Sequence, residues 1–157
     1  MNKKCIMIAC AFFVAVALQA KVSLPAFFSD GMVTLQQSQA SLWGNASKGK
    51  IVEVTTGWDG QTYTTRADEQ GKWKLTVQTP AAGGPYDITF DDGERTRIKH
   101  ILMGELWICS GQSNMEMPMK GFKNQPVEDA NMDVLRSRNS QIRLFTVTRN
   151  SQFAPVD

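Results

Sequence analysis

From residue 21 to about residue 101, apolar and polar positions alternate in short runs. Trp73, Leu75 and Val77 interleave with Lys72, Lys74 and Thr76. This period of two sets three apolar side chains on one face of a strand and the polar ones on the other. Tyr86, Ile88 and Phe90 repeat the pattern. Val, Ile, Thr and aromatic residues fill these runs, and Gly, Asp, Asn and Pro break them every 8–12 residues or so, the spacing of an all-β sandwich. Asp59-Gly60, between 52–57 and 61–67, reads as a hairpin turn because Gly accepts positive φ there. Asp92-Gly93, between 86–91 and 94–101, reads the same way, and 81–85 reads as a loop. Leu42-Trp43-Gly44 reads as a core strand ending at a turn.

Beyond residue 101 the texture changes. Residues 105–110 form a nearly continuous apolar run, as expected of a strand buried on both faces of a parallel sheet. The run leads straight into Gly111-Gln112-Ser113-Asn114. Val127, Ala130, Val134 and Leu135 share one face of a predicted helix over 127–136, and 142–147 reads as one more strand. The predicted fold class is therefore mixed. A β-sandwich domain over 21–101 precedes, over 102–157, the opening of an α/β domain. Two parallel strands and a helix are too few to cover both faces of such a sheet, so the tail is expected to pack poorly.

Lys3 and Lys4 precede an apolar run from Cys5 to Leu18, with Ala15, Ala17 and Ala20 at its exit. That order reads as a secretory signal peptide over 1–20, cleaved after Ala20 or, as second choice, Ala17. The run is too short for a spanning helix, and no other segment is apolar enough to cross a membrane. The expectation is an exported protein, periplasmic or secreted. Over the whole chain, 17 Lys and Arg face 15 Asp and Glu, a net charge of +2. So even a balance gives no electrostatic footprint for nucleic acid. Cleavage after Ala20 would leave Cys109 as the sole thiol, so no internal disulfide could brace the fold. With one His and three Cys in all, no metal site is predicted. Asn45-Ala46-Ser47 is a glycosylation sequon, meaningful only in a host that glycosylates such sites. No oligomeric state is legible.

Ligands of α/β sheets sit beyond the carboxyl ends of strands. A hydroxyl placed there beside a glycine, Ser113 next to Gly111 and Gln112, is well sited to be a nucleophile. A helix starting just after it would add unpaired N–H groups near developing charge. Gly-Gln-Ser-Asn alone is also what an ordinary turn looks like. Ser110 lies one turn residue earlier. Cys109, read as mid-strand, is expected to be buried, inert and a packing residue. His100 is expected at the end of the last β-domain strand, out of reach of Ser113 as a base. Met115, Met117 and Met119 read as packing around a site entrance. Trp43, Trp58 and Tyr63 could bind sugar, but strand aromatics are more often core, so bracing is favoured over binding.

The string from Met103 through Gly104-Glu105-Leu106-Trp107-Ile108-Cys109-Ser110-Gly111-Gln112-Ser113-Asn114-Met115-Glu116-Met117-Pro118 to Met119 closely resembles the nucleophile block of the sialate O-acetylesterases, carbohydrate esterases of the SGNH hydrolase superfamily. Phe28-Ser29-Asp30-Gly31-Met32-Val33, Leu35-Gln36-Gln37, Leu42-Trp43-Gly44, Gly71-Lys72-Trp73, Gly83-Gly84-Pro85-Tyr86 and 142–147 extend the likeness over most of the chain. Thr34 departs from it as an insertion expected to bulge an early strand. The resemblance implies an SGNH-type α/β (flavodoxin-like) hydrolase domain beginning at 102. It implies removal of O-acetyl groups from sialic acids or related glycans through an acyl-enzyme on Ser113. The Ser113 backbone N–H then helps hold the oxyanion. Gly111, Gln112 and Asn114 would shape the loop, and no cofactor is needed. The family draws its base from an Asp-x-x-His pair, which this sequence lacks, so the chain is expected to be an inactive fragment. Two other readings stay open: a non-catalytic carbohydrate-binding β-sandwich, and an acetyl esterase acting on plant polysaccharide.

Overall fold

A computed structural model describes residues 21–147. The predicted signal peptide over 1–20 lies outside the described residues. Among the described residues the chain is mostly β, with seven strands followed by two short helices.

The predicted hairpins form as the turn chemistry dictates. β3 (Ile51–Thr56) and β4 (Thr62–Arg66) flank Asp59-Gly60. Gly60 holds φ +70°, and the Asp59 carboxylate accepts the Gln61 N–H at 3.0 Å. β6 (Gly83–Asp91) and β7 (Arg95–Gly104) flank Asp92-Gly93, where Asp91 accepts the Gly93 N–H at 2.9 Å. β1 (Val33–Leu35), β7, β6, β3 and β4 make one five-stranded sheet, in that order. β2 (Gln39–Asn45) and β5 (Lys72–Gln78) make a second, two-stranded sheet. All pairs are antiparallel except β1 with β7.

The period-two reading of β5 and β6 holds. Trp73 and Val77 are buried while Lys72, Lys74 and Thr76 face out, and Ile88 and Phe90 are buried with Tyr86 packed against them. Leu42, Trp73 and Val77 of the small sheet share one core with Val52, Val54, Ile88, Phe90, Ile98, Ile101 and Met103 of the large one. The sheets also meet at their edges. Thr65 Oγ1 donates to Lys74 O at 3.0 Å, and the hydroxyl of the buried Thr79, just past β5, donates to Leu35 O of β1 at 2.7 Å. The result is a curled half-barrel bent around a single core.

Several expectations need correction. Thr34 does not bulge its strand: Val33, Thr34 and Leu35 pair in unbroken parallel register with Leu102, Met103 and Gly104. The irregularity falls instead between β6 and β7, where Asp87 faces both Lys99 and His100. β7 runs on to Gly104, so His100 lies within the strand rather than at its end. Gly83, Gly84 and Pro85 belong to β6 rather than to a loop. Trp43 is not core. It alternates outward between buried Leu42 and Gly44, 39% exposed, with its ring edge-on to Phe28 at 4.9 Å.

The predicted strands at 105–110 and 142–147 are absent. Leu106, Trp107 and Ile108 are 57%, 86% and 96% exposed, and Leu144 and Val147 are exposed as well. An apolar run of this kind becomes a central strand only when strands flank it and layers cover both faces. Among the described residues nothing pairs with either run. The helix predicted over 127–136 forms as α2 (Ala130–Arg136), but it buries Ala130 alone and leaves Val134 and Leu135 exposed. Among the described residues no helix is long and apolar enough to cross a membrane.

Candidate active-site segment

β7 delivers the chain to the candidate nucleophile. Its inward positions Ile98, Ile101 and Met103 are buried, which anchors the strand up to Gly104. From there residues 105–112 run along the surface to α1 (Ser113–Glu116), a single helical turn. Ser113 is the first residue of that turn, one position before the helix start considered from the sequence. Gln112 sits at the cap position, its carbonyl accepting the Met115 N–H at 2.9 Å, and Ser113 O accepts the Met117 N–H at 3.1 Å. Met115 lies over Gly111 so closely that a Cβ there would fall 2.6 Å from Met115 Cγ, so a larger residue would make the half-exposed Met115 side chain shift.

Gly111, Gln112, Ser113 and Asn114 are all exposed. Neither the Ser113 hydroxyl nor its N–H has a hydrogen-bond partner among the described residues. That leaves the hydroxyl free to meet an acyl carbon and the N–H free to face an oxyanion. One helical turn supplies local N–H donors and little macrodipole, which needs many aligned peptide units.

His100 is held elsewhere. It sits on β7 at φ +59°, and its N–H donates to Asp87 Oδ1 at 3.1 Å. No hydrogen bond links it to Ser113 among the described residues. The same Asp87 bond, with Arg97 donating to Oδ2 at 2.6 Å, holds the Asp87 carboxyl below the usual carboxylate range. Cys109 is exposed, not buried mid-strand, because the strand that would bury it is not formed. Ser110 is exposed too, and Met115 and Met119 are half-exposed rather than packed into a site wall. Among the described residues no three His, Cys, Asp or Glu side chains gather as a metal site.

The aromatic candidates divide. Trp58 donates Nε1–H to Gln78 O at 3.0 Å and stands edge-on to Tyr86 at 6.1 Å. Tyr63 also packs against the core, so both brace the fold. Trp43 remains presented to solvent beside Phe27. A cavity of about 920 Å³ adjoins this patch, lined by Phe27, Phe28, Trp43, Leu106, Ile108 and Leu144 among others, and none of residues 111–114 lines it.

Fold and sequence together relate this chain to the carbohydrate acetylesterases. The crystal structure of a carbohydrate acetylesterase from Xanthomonas citri superposes with a TM-score of 0.69 at 30% identity, over 77% of this chain and 26% of that one. The curated relatives are sialate O-acetylesterases. The Mus musculus protein is 28% identical over 134 residues, covering 78% of this chain. The Homo sapiens protein is 26% identical over 129 residues, covering 76%. The resemblance to the sialate O-acetylesterases drawn from the sequence therefore holds. The chain spans about a quarter of the length of these relatives (24%). No protein-family model matches it.

Sequence reasoning considered a helix starting just after Ser113, one position later than the observed start, and missed two polar contacts at the exit of the β-domain. Gln36 bonds Glu105, and Asp87 holds the bulge at His100. For the first there was no local signal, since Gln36 and Glu105 stand 69 positions apart. For the second there was none, since nothing in Asp87 or His100 marks an irregular register.

Proposed function

We propose that Ser113 is the nucleophile of an exported serine esterase that removes O-acetyl groups from sialic acids or related glycans. In this reading an SGNH-type α/β domain begins near residue 102, and the β-domain braces it. The Ser113 hydroxyl attacks the acetyl carbonyl, the sugar alcohol leaves, and water hydrolyses the resulting ester of Ser113. The Ser113 N–H holds the oxyanion in both steps, and Gly111, Gln112 and Asn114 shape the loop. One observation carries the reading: an exposed serine with a free hydroxyl and a free N–H opens a helical turn, in a chain similar to acetylesterases. A serine hydroxyl is a poor nucleophile until a base takes its proton. His100, the sole His in the sequence, has no hydrogen bond to Ser113 among the described residues, and in this reading the chain alone does not turn over.

The test joins this chain to the portion of the Xanthomonas citri enzyme beyond the matched region and measures acetate released from O-acetylated sialic acid and from acetylated xylan. Release should fall about a million-fold in the Ser113→Ala variant, the loss typical of a removed serine nucleophile. Release that survives Ser113→Ala would defeat the assignment, and preference for xylan would shift the substrate to plant polysaccharide. A second reading, a carbohydrate-binding β-domain, draws on half-exposed Trp43 beside Phe27. Glycan-array binding lost in Trp43→Ala but kept in Ser113→Ala would favour it.

A further inference from the structure

Gln36 stands one residue beyond β1, and three bonds make it a junction. Its N–H donates to Gly104 O, at the end of β7, at 2.9 Å. Its side-chain oxygen accepts the Ala82 N–H at 2.8 Å, and its side-chain nitrogen donates to Glu105 Oε1 at 2.7 Å. The ground beneath it is firm. The Thr79 hydroxyl, 3% exposed, lies 2.7 Å from Leu35 O and takes the Ser38 N–H, which ties the 35–38 turn to the 79–82 segment.

Among the described residues, the segment 106–111 that follows Glu105 has no hydrogen-bond anchor of its own. Among the described residues, no backbone hydrogen bond involves residues 105–111, and the Gln36–Glu105 bond is the last tether before the turn that opens at Ser113. An amide donating to a carboxylate is a charge-assisted bond, stronger than one between neutral groups. This exposed side-chain pair is the point at which the chain leaving β7 is still bonded to the β-domain.

We propose that Gln36 is a positioning residue for the nucleophile: by holding Glu105 it aims the 105–112 segment, and so Ser113, relative to the β-domain. The functional part of this inference rests on the reading of Ser113 as nucleophile. Its weight comes from geometry, since an error of about 1 Å in the placing of a reacting group can cost 100-fold in rate.

The bond can be reversed without being lost. Gln36→Glu sets two carboxylates against each other. Glu105→Gln keeps an amide–amide bond. In the double variant Q36E/E105Q, the carboxylate at position 36 accepts both from Ala82 N–H and from the new amide at position 105. Backbone ¹⁵N relaxation of the full chain reads the outcome at Glu105 and Leu106. Their order parameters should lie near the rigid value of about 0.85 in the wild type and in Glu105→Gln, fall below about 0.6 in Gln36→Glu, and return in the double variant. Ile88 and Ile101 resonances should stay in place throughout, reporting an intact core. If Gln36→Glu does not fold, Glu105→Ala removes the acceptor from an exposed position and should show the same loss. Order parameters unchanged in Gln36→Glu, or in Glu105→Ala where that variant is used, or a double variant that does not recover, would overturn the proposal. The readout needs no turnover, so a chemically inert Ser113 would overturn the reading of the site and leave the tether standing.

Discussion

The Asp87 carboxylate closes the bulge at His100: Oδ1 accepts the His100 backbone N–H at 3.1 Å while Oδ2 holds Arg97 at 2.6 Å. The sole His of the sequence is thereby fixed on β7 at φ +59° as a backbone element of the β-domain. Left-handed backbone favours glycine and penalises β-branched side chains. In urea unfolding, His100→Gly should therefore leave the chain as stable as wild type or up to about 1 kcal/mol more stable, and His100→Val should cost about 1–2 kcal/mol. A large loss in His100→Gly would mean that the imidazole itself is structural.

Acid should weaken the β6–β7 hairpin. The His100 N–H and Arg97 lower the Asp87 carboxyl, and the Gly93 N–H and Arg95 lower that of Asp91, both below 3.8. As pH falls through 3.8 the unfolded chain takes up protons first, so the stabilisation is complete above that value and disappears as the folded carboxyls protonate in turn. Both groups are solvent-exposed, so the effect is modest. Scanning calorimetry between about pH 5 and pH 2 should show Tm falling less steeply in Asp87→Asn/Asp91→Asn than in wild type. Equal slopes would remove these two carboxylates from the acid response.

Two aromatic substitutions should diverge. Phe90 is fully buried against Trp73, so Phe90→Ala should cost about 3–5 kcal/mol. Trp107 is 86% exposed, so Trp107→Ala should stay within about 0.5 kcal/mol of wild type. Denaturant titration of both variants checks the pair, and a Trp107 cost matching that of Phe90 would show that the 105–109 segment is packed in solution.

The contrast between Phe90 and Trp107 marks how far the sequence could be read. Trp73, Val77, Ile88 and Phe90 were legible because strand alternation and turn residues are local signals, and the partners that bury them lie within the same eighty or so residues. Leu106, Ile108 and Leu144 carry an equally clear apolar signal, yet burial is a property of partners rather than of the run itself, and no strand among the described residues pairs with them. Cys109 was misjudged for the same reason. Trp43 shows the opposite limit: its residue type argued for core, but the pleat that buries Leu42 turns its neighbour outward. Ser113 was singled out as a hydroxyl beside a glycine at the end of an apolar run, with a helix considered just after it, whereas Gln36 and Glu105 meet across 69 positions and no local pattern joins them.

Proteolysis should follow the same division. Lys120, Lys123, Arg136 and Arg138 are exposed and lie outside the sheets, whereas the basic residues of β7 are held in its ladder. Brief trypsin treatment should cut first within 120–138 and leave a resistant β-domain, since cleavage tracks local opening. Mass spectrometry of the early fragments checks this, and persistence of an intact 105–147 segment would contradict it.

We propose that Ser113 is an acyl-accepting alcohol with no base bonded to it among the described residues. Hydrolysis of p-nitrophenyl acetate by the 157-residue chain tests that most directly. The rate should match that of the Ser113→Ala variant, both at the level of the uncatalysed reaction. A turnover that Ser113→Ala abolishes would show that the chain activates this serine by itself, and the account of an unassisted nucleophile would be wrong.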